Sequence, residues 1–150
     1  MGFRLSRRDA LALAAGATLS ATAWPRAGQA QAAKNNAGEL IKAFTGGKTA
    51  ATGKIKMDLP EIAENGNTVP MTVSVEGTKD LYATELLVVA DANPQGGVAT
   101  FHFTPESVSE VNTRIRCAET QNIIAVARMS DGSFVTAQRE VKVTIGGCGG

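Results

Sequence analysis

One histidine, one tryptophan, one tyrosine and two cysteines occur in 150 residues. With Cys117 and Cys148 as the cysteines, no Cys-x-x-Cys and no histidine pair, one chain cannot close a zinc site. So few aromatics offer no platform for stacking nucleic-acid bases, and a formal net charge of +1 gives no cationic surface for phosphates. His102 sits in Phe101-His102-Phe103, a strand pattern in which it points outward, and nothing near it in sequence completes a nucleophile, base and orienter set. Gly46-Gly47-Lys48-Thr49 lacks the upstream glycine and preceding strand of a phosphate-binding loop, so it reads as a helix stop. Glu61, Glu64, Glu106 and Glu110 fall in expected loops and read as solvated surface. Beyond residue 33 no apolar run approaches the roughly 20 residues needed to cross a bilayer. There is no internal repeat and no low-complexity tract.

What is present begins with a charge asymmetry. Arg4, Arg7, Arg8 and Arg26 face Asp9 alone in the first 30 residues, a net of +3 that leaves about −2 for the rest. A basic start, the apolar run Ala10 to Ala23 and small residues around Ala27 to Ala33 form the three parts of an export signal over residues 1–32, with cleavage expected after Ala30 or Ala32. Ser6-Arg7-Arg8 followed by Asp9 and apolar Ala10-Leu11 resembles a twin-arginine signal; plain Sec export is the alternative. The implied compartment is the periplasm, which is oxidising, and a free cysteine there requires a reason.

Residues 33–47 predict a short helix, with Asn35 or Asn36 as cap, Leu40, Ile41 and Phe44 on one stripe, and Gly46-Gly47 as the stop. From residue 48 to 145 the period changes to two. Ile55, Met57 and Leu59 alternate with Lys54, Lys56 and Asp58; Val69, Met71, Val73 and Val75 alternate with polar neighbours. Tyr82 to Ala90 is a more continuous apolar strand, and Ala99 to Phe103 a short one. Val111, Thr113, Ile115 and Cys117 share a face, which places Cys117 in the core. Ile123 to Met129 and Phe134 to Ile145 are joined through Ser130-Asp131-Gly132-Ser133, a strong hairpin signal. About seven strands with no intervening helix predict a mainly β fold, an antiparallel β-sandwich of immunoglobulin-like kind.

The chain ends Gly146-Gly147-Cys148-Gly149-Gly150, and residues 146–150 read as a flexible arm because glycine removes every side chain that could pack or restrict the backbone. From Thr144 to Cys148 an extended segment spans roughly 13 to 16 Å, enough for the thiol to enter a partner's cleft. An unperturbed thiol has a pKa near ~8.5 and is only partly ionised at neutral pH, so activation must come from that partner. A disulfide to Cys117, a crosslink to another chain through Cys148, and an incidental cysteine on a loose end are the other readings.

Val143-Thr144-Ile145-Gly146-Gly147-Cys148-Gly149-Gly150 resembles the C-terminus of the SoxY family, the sulfur carriers of the bacterial Sox thiosulfate-oxidising system. Asp58-Leu59-Pro60-Glu61-Ile62-Ala63-Glu64-Asn65-Gly66 with Val69-Pro70, Met129-Ser130-Asp131-Gly132-Ser133-Phe134 and the twin-arginine-like leader resemble that family too. The resemblance covers essentially the whole mature chain. It implies a periplasmic protein paired with SoxZ that carries covalent cargo on Cys148 and catalyses nothing itself. A SoxAX cytochrome would load thiosulfate, SoxB would hydrolyse off sulfate, and a SoxCD dehydrogenase, where present, would oxidise the sulfane sulfur. No cofactor and no metal are implied, and no role passes to Cys117.

Overall fold

The computed structural model describes residues 35–146. The expected export signal, with Arg7 and Arg8, lies outside the described residues, as do Gly147, Cys148, Gly149 and Gly150. One helix, α1 (Ala37–Thr45), precedes nine strands: β1 (Ala51–Thr52), β2 (Ile55–Asp58), β3 (Ile62–Ala63), β4 (Val69–Val75), β5 (Ala83–Ala90), β6 (Gly97–His102), β7 (Glu110–Ile115), β8 (Gln121–Met129) and β9 (Phe134–Val143). They form two layers. A larger sheet runs β1-β9-β8-β5-β6, with β3 also on β9, and a smaller one runs β2-β4-β7.

The seven expected strands are β2 and β4 to β9. The two additions, β1 and β3, are two residues each and lie parallel to β9, pairing Ala51 with Val135 and Ile62 with Lys142. Two residues carry no period, so neither could be read from alternation. They make the larger sheet mixed rather than wholly antiparallel. Two boundaries also differ: β7 stops at Ile115, short of Cys117, and β9 stops at Val143, short of Ile145. Glu110, expected in a loop, opens β7 opposite Ser74.

Alternation sets the core. Val69, Met71, Val73 and Val75 of β4 are buried while Pro70, Thr72 and Ser74 face outward. They meet Leu86 and Val88 of β5 and Ile123, Ala125, Ala127 and Met129 of β8 in one cluster. β5 is apolar on both faces because α1 covers its other side: Leu87 and Val89 pack with Ala37, Leu40, Ile41 and Phe44. This explains its unbroken hydrophobic run. The helix is seated by its entry, where the Asn35 side chain accepts from the Ala37 N–H at 2.9 Å and donates to the Ala90 carbonyl at 3.0 Å. The Asn36 amide oxygen accepts from the Gly96 N–H of the β5–β6 loop at 2.9 Å, so the cap residue holds the sheet rather than its own helix. Gly46, in the left-handed region at φ 62°, ends the helix as expected.

Candidate functional site

Strand β9 delivers the chain toward its end, and the last described residues are held closely. The Lys142 N–H donates to the Glu61 carbonyl at 2.9 Å, and the Thr144 N–H donates to Ala63 at 3.1 Å. The Thr144 hydroxyl donates to the Glu64 carbonyl at 3.0 Å. On the opposite flank the Val143 N–H donates to the Thr120 hydroxyl at 3.0 Å. Gly66 links the two flanks, for its N–H donates to the Ile145 carbonyl and its carbonyl accepts from the Cys117 N–H, both at 2.8 Å. Residues 142 to 145 are therefore bonded on both sides.

Gly146 carries a requirement beyond flexibility. Its α-carbon lies so close to Ala118 that a Cβ built there would overlap the Ala118 carbonyl oxygen. Glycine at 146 is needed for a close backbone approach, and the chain is positioned through Gly146 rather than released at Thr144. Cys148 follows two positions further on, and the arm expected from sequence lies outside the described residues beyond Gly146.

The Arg116–Ala118 segment that receives Gly146 is itself supported from below. Asn93, 3% exposed, donates from Nδ2 to the Arg116 carbonyl at 2.9 Å, and its Oδ1 accepts from the Ala118 N–H at 2.9 Å and from Gln121 Nε2 at 2.7 Å. Gln121, also buried, accepts the Ala92 N–H at 3.0 Å. No buried side-chain polar atom among the described residues is left unpartnered. Asn93 and Gln121 were not singled out from sequence. Asn93-Pro94-Gln95-Gly96-Gly97 reads as a turn, and the burial of its first residue is decided by distant chain.

Cys117 is wholly buried, as its face-sharing with Val111 and Ile115 suggested, and has no disulfide partner among the described residues. Burial pushes this thiol above its ordinary range, and a hydrogen bond with Gln121 partly offsets the shift. It is a poor nucleophile where it stands. His102 is exposed on β6, 3.3 Å from Glu85, and Arg128 pairs with the same carboxylate at 2.8 Å. Arg128 also lies over the Phe44 and Phe134 rings and donates to the Phe44 carbonyl, which ties the triad to the seat of α1. Its geometry is that of a surface ion pair. The facing edges of β6 and β7 leave an open groove of about 390 Å³, lined by Val98, Phe101 and Ile115 together with Asn93, Arg114 and Arg116. Among the described residues no group of three His, Cys, Asp or Glu side chains gathers that could hold a metal ion.

A small two-layer β-sandwich with a helix on its larger sheet, whose C-terminal strand is held through Gly146, defines the class of protein by architecture. The comparisons with known proteins then specify the family. A family model described as sulfur oxidation protein SoxY matches residues 41–148, and this chain belongs to the SoxY family of sulfur carriers. The solved structure of the sulfur carrier protein SoxY from Chlorobium limicola f. thiosulfatophilum is 36% identical, covers 70% of this chain and 89% of its own, and superposes with a TM-score of 0.62. A superoxide reductase (neelaredoxin) from Ignicoccus hospitalis shares the fold at a TM-score of 0.53 with 15% identity, over 61% of this chain and 80% of its own. A putative superoxide reductase from Thermotoga maritima does so at 0.51 and 15%, over 67% and 89%. These two likenesses concern architecture alone. A search of curated proteins found no match.

Proposed function

We propose that this chain is a periplasmic carrier that holds thiosulfate-derived sulfur on Cys148 and presents it in turn to the enzymes of a Sox cycle, as one half of a heterodimer with SoxZ. The observation that carries this reading is the family match, which runs through to residue 148, together with a chain end fixed two residues before that cysteine. The chemistry balances with the enzymes supplying everything except the sulfur atom. A thiolate and thiosulfate lose two electrons to a SoxAX-type cytochrome and form a bond between Cys148 Sγ and the outer sulfur. Water then attacks the terminal sulfonate in a SoxB-type hydrolase, the sulfur–sulfonate bond breaks, sulfate leaves with release of two protons, and a persulfide anion stays on Cys148. Where a SoxCD-type dehydrogenase is present, it oxidises that sulfane sulfur further. The chain supplies a soft nucleophile, unobstructed by side chains on either neighbour. It contributes no base, metal or redox centre to these steps.

Mass spectrometry of the protein from thiosulfate-grown cells should show sulfane and sulfonate adducts on Cys148. Finding only protein disulfides there would instead support a crosslinking role. In a reconstituted system, Cys148→Ser should abolish thiosulfate-dependent electron delivery while the unfolding midpoint stays within about 1 °C, since the residue lies past the clamped strand. Undiminished electron delivery would refute the carrier reading.

A further inference from the structure

The segment against which Gly146 rests belongs to no strand. Arg116, Cys117 and Ala118 follow the end of β7 at Ile115 and precede the start of β8 at Gln121. Their backbone is fixed by two partners instead. Gly66 accepts the Cys117 N–H, and Asn93 takes the Arg116 carbonyl and the Ala118 N–H with the two ends of one amide. Asn93 is itself held from behind. Its Oδ1 also accepts from Gln121, and its backbone carbonyl accepts from the Asn35 side chain at the entry to α1. A buried amide with no polar atom left unpartnered specifies one arrangement of the backbone around it rather than several.

That arrangement decides where the chain toward Cys148 leaves the domain. Gly146 lies against the Ala118 carbonyl, close enough to exclude any Cβ, and the Ile145 carbonyl is bonded to the same Gly66 that holds Cys117. Both contacts depend on the 116–118 segment. Without it, the last residue with independent bonds is Thr144, held by Ala63 and Glu64. We propose that Asn93 is a positioning residue for the transfers at Cys148: by holding Arg116 and Ala118 it fixes the root from which an enzyme collects the sulfur. The proposal rests on the carrier reading and adds to it a buried residue of the β5–β6 loop. Its effect follows from chain length. Cys148 stands two positions beyond Gly146 and four beyond Thr144. The effective concentration of a tethered group falls roughly as the −3/2 power of tether length, so doubling the tether lowers the supply of sulfur to a docked active centre about threefold. Docking through the folded surface is the same in both cases, and the loss falls on the step that follows it.

The test follows single-turnover loading of thiosulfate onto the full chain, in its natural complex, by the cytochrome, well below the unfolding midpoint of every variant. Asn93→Ala should lower the rate at saturating cytochrome about threefold and leave the half-saturating concentration unchanged. Where Asn93→Ala fails to fold, Asn93→Asp takes its place, since it keeps the bonds accepted from Ala118 and Gln121 and loses only the one donated to Arg116. Gly146→Ala disturbs the same root without touching Asn93 and should slow loading too. The double variant should be no slower than the slower single one, because one root is lost only once. Met129→Ala truncates the core at the opposite end of β8 from Gln121, so it costs stability and should load at the unaltered rate. A rate within about 1.3-fold of the unaltered chain for the Asn93 variant or for Gly146→Ala would overturn the proposal. So would an equal loss in Met129→Ala, or factors that multiply in the double variant. Thiosulfate-dependent electron delivery that survives Cys148→Ser would overturn the carrier reading instead.

Discussion

Asn93→Ala removes a side chain that touches no cargo, yet the structure makes it among the most damaging single changes in the chain. Three groups lose their partners: the Arg116 carbonyl, the Ala118 N–H and the Gln121 amide. A buried polar group left unsatisfied costs about 1–3 kcal/mol. Gln121 is 4% exposed and cannot recover with water, so it takes the upper part of that range; Arg116 and Ala118 lie nearer solvent and take little. Roughly 3 kcal/mol follows, and for a domain of this size that lowers the unfolding midpoint by about 10–18 °C. Calorimetry of Asn93→Ala against the exposed control Asn67→Ala reads it directly, the control shifting by less than about 2 °C. Hydrogen exchange supplies the local signature, because the Cys117 N–H bonded to Gly66 should exchange faster as its segment loosens. A midpoint within about 3 °C of the control would refute the view that Asn93 holds up the floor under Gly146.

Other outcomes follow from the same geometry. Gly146→Ala must displace the Ala118 carbonyl, at a cost of about 1–3 kcal/mol or by detaching the chain end, and either result appears as faster exchange of the Gly66 N–H; unchanged exchange would show that the close approach is not maintained in solution. Cys117 has a folded pKa raised above its unfolded value near 9. Its contribution is therefore full below that pH and lost as pH rises toward the folded value, so the stability gap between the unaltered chain and Cys117→Ala should narrow between pH 7 and pH 10; a gap independent of pH would contradict the burial.

How far the sequence revealed this molecule differs from one feature to the next. Strands of seven or more residues with one buried face, such as β4, repeat their pattern often enough to be read, and the Asp131-Gly132 turn declares the β8–β9 hairpin through its own backbone chemistry. Gly132, at φ 80°, and the Asp131 carboxylate accepting the Ser133 N–H are local facts. The helix was legible for the same reason, since Leu40, Ile41 and Phe44 recur at helical spacing. Ile62-Ala63 was not, because a two-residue strand is defined by the neighbour it pairs with. The same holds for the support of the chain end. A glycine before a cysteine suggests freedom, and only the tertiary placement of Ala118 shows that Gly146 is glycine for want of space. Asn93 likewise looks like turn chemistry until the fold buries it among partners 23 to 28 positions away.

The seating of β9 has a mechanical consequence. The strand is in register with β8 over eight residue pairs, Gln121 with Val141 through Arg128 with Phe134, and is bonded on its other edge by β3 at its final two residues. The ladder bonds run across the strand, so a pull applied along its axis loads them together in shear instead of opening them one after another. A pull on the chain beyond β9 thus strains many bonds at once, and the domain yields as a whole or not at all. A chain end attached through a surface loop would stretch under the same load. This one transmits force to the centre of the larger sheet, so a pull on the residues past Gly146 moves the domain as a rigid body.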